Sequence, residues 1–276
     1  MSKREAGVLW ALVALYAAAR VTQAFPDRLS VAAIMALHVI PAFAFALVHG
    51  RAVYGWRGIL TFTALCLGIG FVVENIGVLT GVPFGHYHFT HVMGPMIWHV
   101  PVLLGMAYVG MGYVSWTLAR MITGDRLVGL PPAAAFVMVG WDLSMDPTWA
   151  NIVHGWVWEQ GGSYFGVPLS NFVGWFANVY VIYQIFALYL RGRERVPARL
   201  PAGFAGSAVA FYAVSAAGNV FVIPGALRTA FVTDGAGTPW PVSAILGAAM
   251  LVSFLVMGAF ALLAWIRMGE IEVTPR

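Results

Sequence analysis

Apolar residues run along this chain in stretches of about twenty, the length a helix needs to cross a bilayer. Eight such segments can be read, at 7–25, 30–50, 58–80, 100–121, 127–146, 171–191, 203–225 and 240–266. The fourth, sixth and eighth are the cleanest, and no charged residue occurs from Gln160 to Leu190 or from Gly235 to Ile266. The first is the weakest, because Arg20 sits near its far end, where its long side chain would snorkel to the interface. The pattern predicts an all-α, polytopic membrane bundle of about eight transmembrane helices, forming a single membrane domain over 1–276.

The basic residues sort by side. Lys3, Arg4, Arg51, Arg57, Arg120, Arg126, Arg191, Arg193, Arg195, Arg199, Arg267 and Arg276 fall on one face of that arrangement, leaving Arg20, Arg28 and Arg228 for the other. Lys and Arg collect on the cytoplasmic side of membrane proteins. The asymmetry therefore predicts an even number of spans and both termini in the cytoplasm, with the plasma membrane as the location. The first segment also has the basic start, apolar stretch and small residues before Phe25 of a signal peptide. Its cleavage would leave seven spans in the same orientation.

Composition sharpens this reading. Apolar residues make up 61% and charged residues 9%, against about 45–50% and about 25% in soluble domains. A water-soluble enzyme, a nucleic-acid binder and a disordered chain are excluded. The net charge of +4 and pI near 9.4 report topology, not a nucleic-acid partner. Cys66, the single cysteine, lies in the apolar run Leu65-Cys66-Leu67, so no disulfide framework exists and the thiol reads as a packing group.

The unusual chemistry gathers in the half that lacks Lys and Arg. Glu74 lies inside the third span, and Asp142 inside the fifth, with Asp146 four residues on along the same helical face. Pro147 predicts that the helix ends at Asp146. Glu159 follows in the next connection, and His86, His88, His91, His99 and His154 lie in the same two connections, 81–99 and 147–170. No Lys or Arg occurs between Arg57 and Arg120, or between Arg126 and Arg191. An acid charged at the centre of a membrane costs about 2.5–3.5 kcal/mol or more. A carboxyl without a cation in an apolar pocket is held neutral, which is what a general acid must be. The alternative is that each acid caps a helix or bonds its neighbour. Trp149, Trp156 and Trp158 read as an interfacial aromatic belt.

The two hairpins echo one another. Glu74 precedes Val100-Pro101 by 26 residues, and Asp142 precedes Val167-Pro168 by 25. A parallel repeat would set the acids face to face across a pseudo-twofold axis along the membrane normal; the alternative is a chance similarity of two membrane hairpins.

His86-x-His88-x-x-His91 with His99 raises a metal site, as in a His-ligated membrane hydroxylase, but Gly and Pro interrupt the run and helical His spacing is lacking. Asp142-x-x-x-Asp146 has the form of one motif of the prenyltransferases that bind Mg-diphosphate. The second Asp-rich motif and the nearby cations are missing. No phosphate loop, nucleophile elbow or redox-cofactor fingerprint is present.

Three stretches resemble the CruF-type carotenoid 1,2-hydratases, integral membrane proteins of carotenoid biosynthesis. They are Glu74-Asn75-x-Gly77-x-x-Thr80-Gly81-x-Pro83-Phe84-Gly85-x-Tyr87, Trp141-Asp142-Leu143-x-x-Asp146-Pro147, and Trp158-Glu159-x-Gly161-Gly162-x-Tyr164-Phe165-Gly166-Val167-Pro168-Leu169-x-Asn171-Phe172-x-Gly174-Trp175. They span 74–175; the flanking segments match only in hydropathy.

The resemblance implies addition of water across the C1=C2 double bond of an acyclic ψ-end group, as in lycopene, γ-carotene or bisanhydrobacterioruberin-type carotenoids, with no cofactor and no metal. It implies Glu74, Asp142 and Asp146 as catalytic acids. Asn75, His86, Tyr87, Glu159 and Asn171 would bind substrate or water, and Phe84, Trp141, Tyr164, Phe165 and Trp175 would line the end-group pocket. Candidate protein partners are a carotenoid glycosyltransferase or desaturase. The competing reading is a carotenoid or quinone carrier whose acids only fix helix packing.

Overall fold

The computed structural model describes residues 2–23, 28–191, 200–221 and 229–273. Arg193, Arg195, Arg199, Arg228 and Arg276, which contribute to the predicted charge asymmetry, and Phe25, next to the candidate cleavage site, lie outside the described residues.

The chain is an all-α membrane protein. Its helices are α1 (Lys3–Thr22), α2 (Val31–Thr80), α3 (Val102–Thr123), α4 (Leu130–Asn151), α5 (Leu169–Arg191), α6 (Ala202–Phe221), α7 (Val242–Val252) and α8 (Gly258–Val273). A π-helical turn, Ser253–Met257, joins the last two. Among the described residues, five helical stretches are long and apolar enough to cross a membrane: α1, α2, α3, α5, and Val242–Met268 across α7 and α8.

A straight helix of 50 residues would be about 75 Å long, far beyond a bilayer core of about 30 Å. It does not stay straight. Gly55 adopts φ 68° and ψ 174°, a conformation only glycine enters cheaply, and breaks α2 into two arms. Both arms return to the same ring of α3. His49 Nδ1, before the break, meets the Tyr113 hydroxyl at 2.7 Å, and Phe62, after it, lies edge-on to Tyr113 at 5.8 Å. The second arm ends at Gly81, whose left-handed φ of 78° supplies the C-cap.

Two expectations need correction. Arg20 does not snorkel; it is buried, and its Nη2 donates to Ser215 O and to Asn219 Oδ1 of α6. Helix α4 does not stop at Asp146 but runs on to Asn151 with Pro147 inside it. Pro147 has no N–H to give the carbonyl four residues back, that of Leu143. The Tyr164 hydroxyl donates to that carbonyl instead, at 3.2 Å. Removing this donor leaves a part-buried acceptor unpaired, which costs about 1–3 kcal/mol. Tyr164→Phe is therefore expected to lower the thermal midpoint of the purified protein; an unchanged midpoint would show that the carbonyl needs no partner.

The connections between the helices carry short ribbons. β1 (Tyr87–Phe89) pairs antiparallel with β4 (Trp156–Trp158), with Tyr87 opposite Trp158 and Phe89 opposite Trp156. β2 (Met96–Ile97) pairs with β3 (Val100–Pro101), and β5 (Phe231–Thr233) with β6 (Pro239–Pro241). The first of these ribbons joins the two hairpins that carry the acids.

Candidate active site

Side chains alternate across a strand, so the paired ribbon β1–β4 turns Tyr87, Phe89, Trp156 and Trp158 to one face and His88 and Val157 to the other. The first face roofs a cavity of about 30 Å³, room for about one or two waters. Glu74 from α2, Asp142 and Asp146 from α4, and Asn171 and Trp175 from α5 complete its walls with Phe84, Leu104 and Met145. All three acids are at most 3% exposed.

Glu74 is held by two phenols. Tyr87 OH donates to Oε2 and Tyr108 OH to Oε1, each at 2.6 Å, and Asn178 Nδ2 donates to the Tyr108 oxygen at 3.0 Å. Burial, then the adjoining Glu74 carboxyl, raises the Tyr87 phenol well above its ordinary value, so Tyr87 stays a neutral donor. Its approach depends on Gly77. A Cβ there would stand 2.6 Å from the Phe84 ring and 3.0 Å from the Tyr87 oxygen.

Asp146 is saturated with N–H donors. Trp156 Nε1 and Trp158 Nε1 reach its Oδ1 at 2.8 and 3.2 Å, and Asn171 Nδ2 reaches Oδ2 at 2.6 Å. Asp142 receives one long bond, from the same Asn171 Nδ2 to Oδ2 at 3.3 Å. Of the six carboxyl oxygens on this cavity, Asp142 Oδ1 alone has no hydrogen bond among the described residues.

Of the residues singled out from the sequence, Glu74, Phe84, Tyr87, Asp142, Asp146, Asn171 and Trp175 meet at this cavity. The others stand elsewhere. Asn75 Oδ1 accepts from His99 N at 3.3 Å and its Nδ2 donates to Phe71 O, so it ties the β2–β3 turn to α2. His86 packs its ring over Gly81. Glu159 is exposed and paired with His88 Nδ1 at 3.0 Å on the outer face of the ribbon. Tyr164 repairs α4, Phe165 packs edge-on to Trp240 at 5.4 Å, and Trp141 lies on α4 outside the cavity lining. Among the described residues, no three His, Cys, Asp or Glu side chains are grouped to hold a metal ion.

The sequence reading missed Tyr108, Asn178, Leu104, Phe89 and Met145, and took Trp156 and Trp158 for an interfacial belt. A signal for the tryptophans was present: Trp-x-Trp puts both indoles on one side of a strand. Tyr108 lies seven residues after Pro101, as Trp175 does after Pro168, and the two rings stack at 4.5 Å. That contact, with the antiparallel β1–β4 pairing, sets the two hairpins face to face with Glu74 and Asp142 on one cavity.

A family model described as carotenoid biosynthesis protein matches residues 29–234, which include all of these groups. Bisanhydrobacterioruberin hydratase of Haloarcula japonica is 30% identical over 135 residues, 47% of this chain and 45% of that protein. The chain thus matches somewhat less than half the length of that relative. No solved structure matches.

Proposed function

Because the chain belongs to the carotenoid biosynthesis protein family, we propose that it is a carotenoid hydratase, adding water across the C1=C2 double bond of an acyclic ψ-end group. The observation that carries the reading is one cavity, with room for about two waters, lined by three buried acids and a ring of aromatic side chains, with no Lys or Arg in its lining. The similarity to a hydratase supports the reaction class.

The hydrogen bonds divide the labour. Asp142, in its acid form, gives its proton from Oδ1 to C2, leaving a tertiary cation at C1. Glu74 and the faces of Phe84, Tyr87 and Trp175 stabilise that cation. A water in the cavity adds to C1 and loses its proton to the Glu74 carboxylate. That proton returns through a second cavity water to Asp142, and the balance is alkene plus water to tertiary alcohol. Asp146, locked by Trp156 and Trp158, is a positioning residue: it holds Asn171, and Asn171 aims Asp142. The topology that goes with this reading has eight crossings, the two arms of α2 counting separately, and both termini in the cytoplasm at the plasma membrane.

Co-expression in cells that accumulate lycopene or γ-carotene tests the proposal. The expected product is heavier by one water and carries a tertiary hydroxyl. Unchanged pigment that co-purifies with the chain would favour a carrier, and a hydroxylated product that requires oxygen would favour an oxygenase.

A further inference from the structure

The acid cavity holds about one or two waters and leaves no room for a hydrocarbon chain. A second cavity adjoins it. Between the second arm of α2 and the start of α3 runs a crevice of about 350 Å³, walled by Phe43, Cys66, Leu67, Phe71, Gly105 and Met106, among others. Glu74 and Leu104 line both cavities and form the partition between them. Glu74 is the one carboxylic acid in the crevice wall, which apart from Cys66 and the Tyr108 phenol beside Glu74 is apolar. The β2–β3 turn closes one end: Ile97 enters the wall, Asn75 ties the turn to α2, and Trp98, 80% exposed, packs against Phe71 at 5.7 Å. Leu67, Ile97 and Val102 are also 40–55% exposed, so the wall continues onto the outer surface of the bundle.

We propose that this crevice holds the polyene chain of the substrate and admits it sideways from the bilayer. The assignment rests on the hydratase reading above. The occupant is an acyclic isoprenoid hydrocarbon, because the walls are apolar along their length but for the Cys66 thiol and end at the acid site, where the Tyr108 hydroxyl is already bonded to Glu74. An end group advancing along the crevice displaces the Leu104 side chain and arrives over Glu74 and Asp142, while the rest of the chain stays between α2 and α3. Leu67 and Gly105 face each other across the passage, a Cβ on Gly105 standing 3.0 Å from Leu67 Cδ2. They are where added bulk closes it.

The test uses the full chain, purified and reconstituted in vesicles containing lycopene, and reads pigment bound per protein together with the thermal midpoint. Leu67→Trp and Gly105→Leu fill the crevice without touching the acids. Leu251→Trp adds the same indole on α7, at a position 62% exposed and outside the crevice lining. The expected result is at least tenfold less bound lycopene in both crevice variants, with wild-type binding in Leu251→Trp. Should Gly105→Leu fail to fold, Leu67→Trp decides alone, since Leu67 is already 40% exposed. Wild-type binding by a folded Leu67→Trp overturns the crevice, as does an equal loss in Leu251→Trp. Bound pigment is counted as lycopene and any alcohol formed from it together, so the readout does not depend on turnover. A wild-type chain that binds lycopene through the crevice yet never hydrates it supports this assignment and counts against the hydratase reading.

Discussion

Asp142→Asn is expected to lower hydration at least 10²-fold, the scale of general acid catalysis, while lycopene binding and the thermal midpoint stay near wild type. The amide has the same shape and keeps an oxygen for the bond now received from Asn171 Nδ2 at 3.3 Å. What it loses is the proton at Oδ1, the one carboxyl oxygen in the cavity without a donor among the described residues. Asp146→Asn separates this role from positioning. There the new amide nitrogen faces either the two indoles, and both their bonds are lost, or Asn171, and that bond is lost. The loss turns Asn171 and misaims Asp142, so a smaller fall in rate is expected, with a lower thermal midpoint. Initial rates of alcohol formation, normalised to folded protein, check both variants. A larger loss in Asp146→Asn than in Asp142→Asn would exchange the two assignments.

Much of the bundle was legible because a bilayer leaves few choices: long apolar runs fold as helices to pair their own backbone groups. The readable part stopped where one contact overrode a local rule. Pro147 ends a helix when nothing else takes the Leu143 carbonyl, and Tyr164, 21 residues away in sequence, takes it. Arg20 reaches water when water is nearer than a polar partner, and Ser215 and Asn219 of α6 are nearer. Neither partner can be seen from the residue's own neighbourhood in the chain.

The site divides in the same way. The acids stood out because a carboxyl in a membrane helix without a cation demands a reason. Their partners did not, because a tyrosine or tryptophan in an apolar run reads as core. Tyr108 is one such residue, and it becomes a ligand of Glu74 when α3 packs on the second arm of α2. His88 and Glu159 show the converse. Both look like site chemistry, but the ribbon's alternation sends His88 to the outer face, where Glu159 meets it. The 25- and 26-residue echo between the hairpins was the most informative long-range signal, since it anticipated that Glu74 and Asp142 share a cavity.

Glu74→Gln is expected to cost at least 10²-fold in rate through a different step, the removal of a proton from the attacking water. The carboxylate now accepts one phenol on each oxygen. An amide accepts on one side only, so one phenol must turn. Tyr87 has somewhere to turn, since the Glu74 main-chain oxygen lies 3.3 Å from its hydroxyl. The variant should therefore fold and bind lycopene with its volume unchanged. Tyr87→Phe and Tyr108→Phe grade the same effect. Each removes one charge-assisted hydrogen bond, worth about 1.5–3 kcal/mol, and about tenfold or more in rate is expected from each if the carboxylate is the group that meets the cation. The measurement is the rate of alcohol formation at saturating lycopene, with bound pigment as the control. A Gln variant within threefold of wild type would take Glu74 out of the chemistry and leave it as a wall between water and hydrocarbon. A loss of binding equal to the loss of rate would make it a substrate-holding group and leave the base to be found elsewhere.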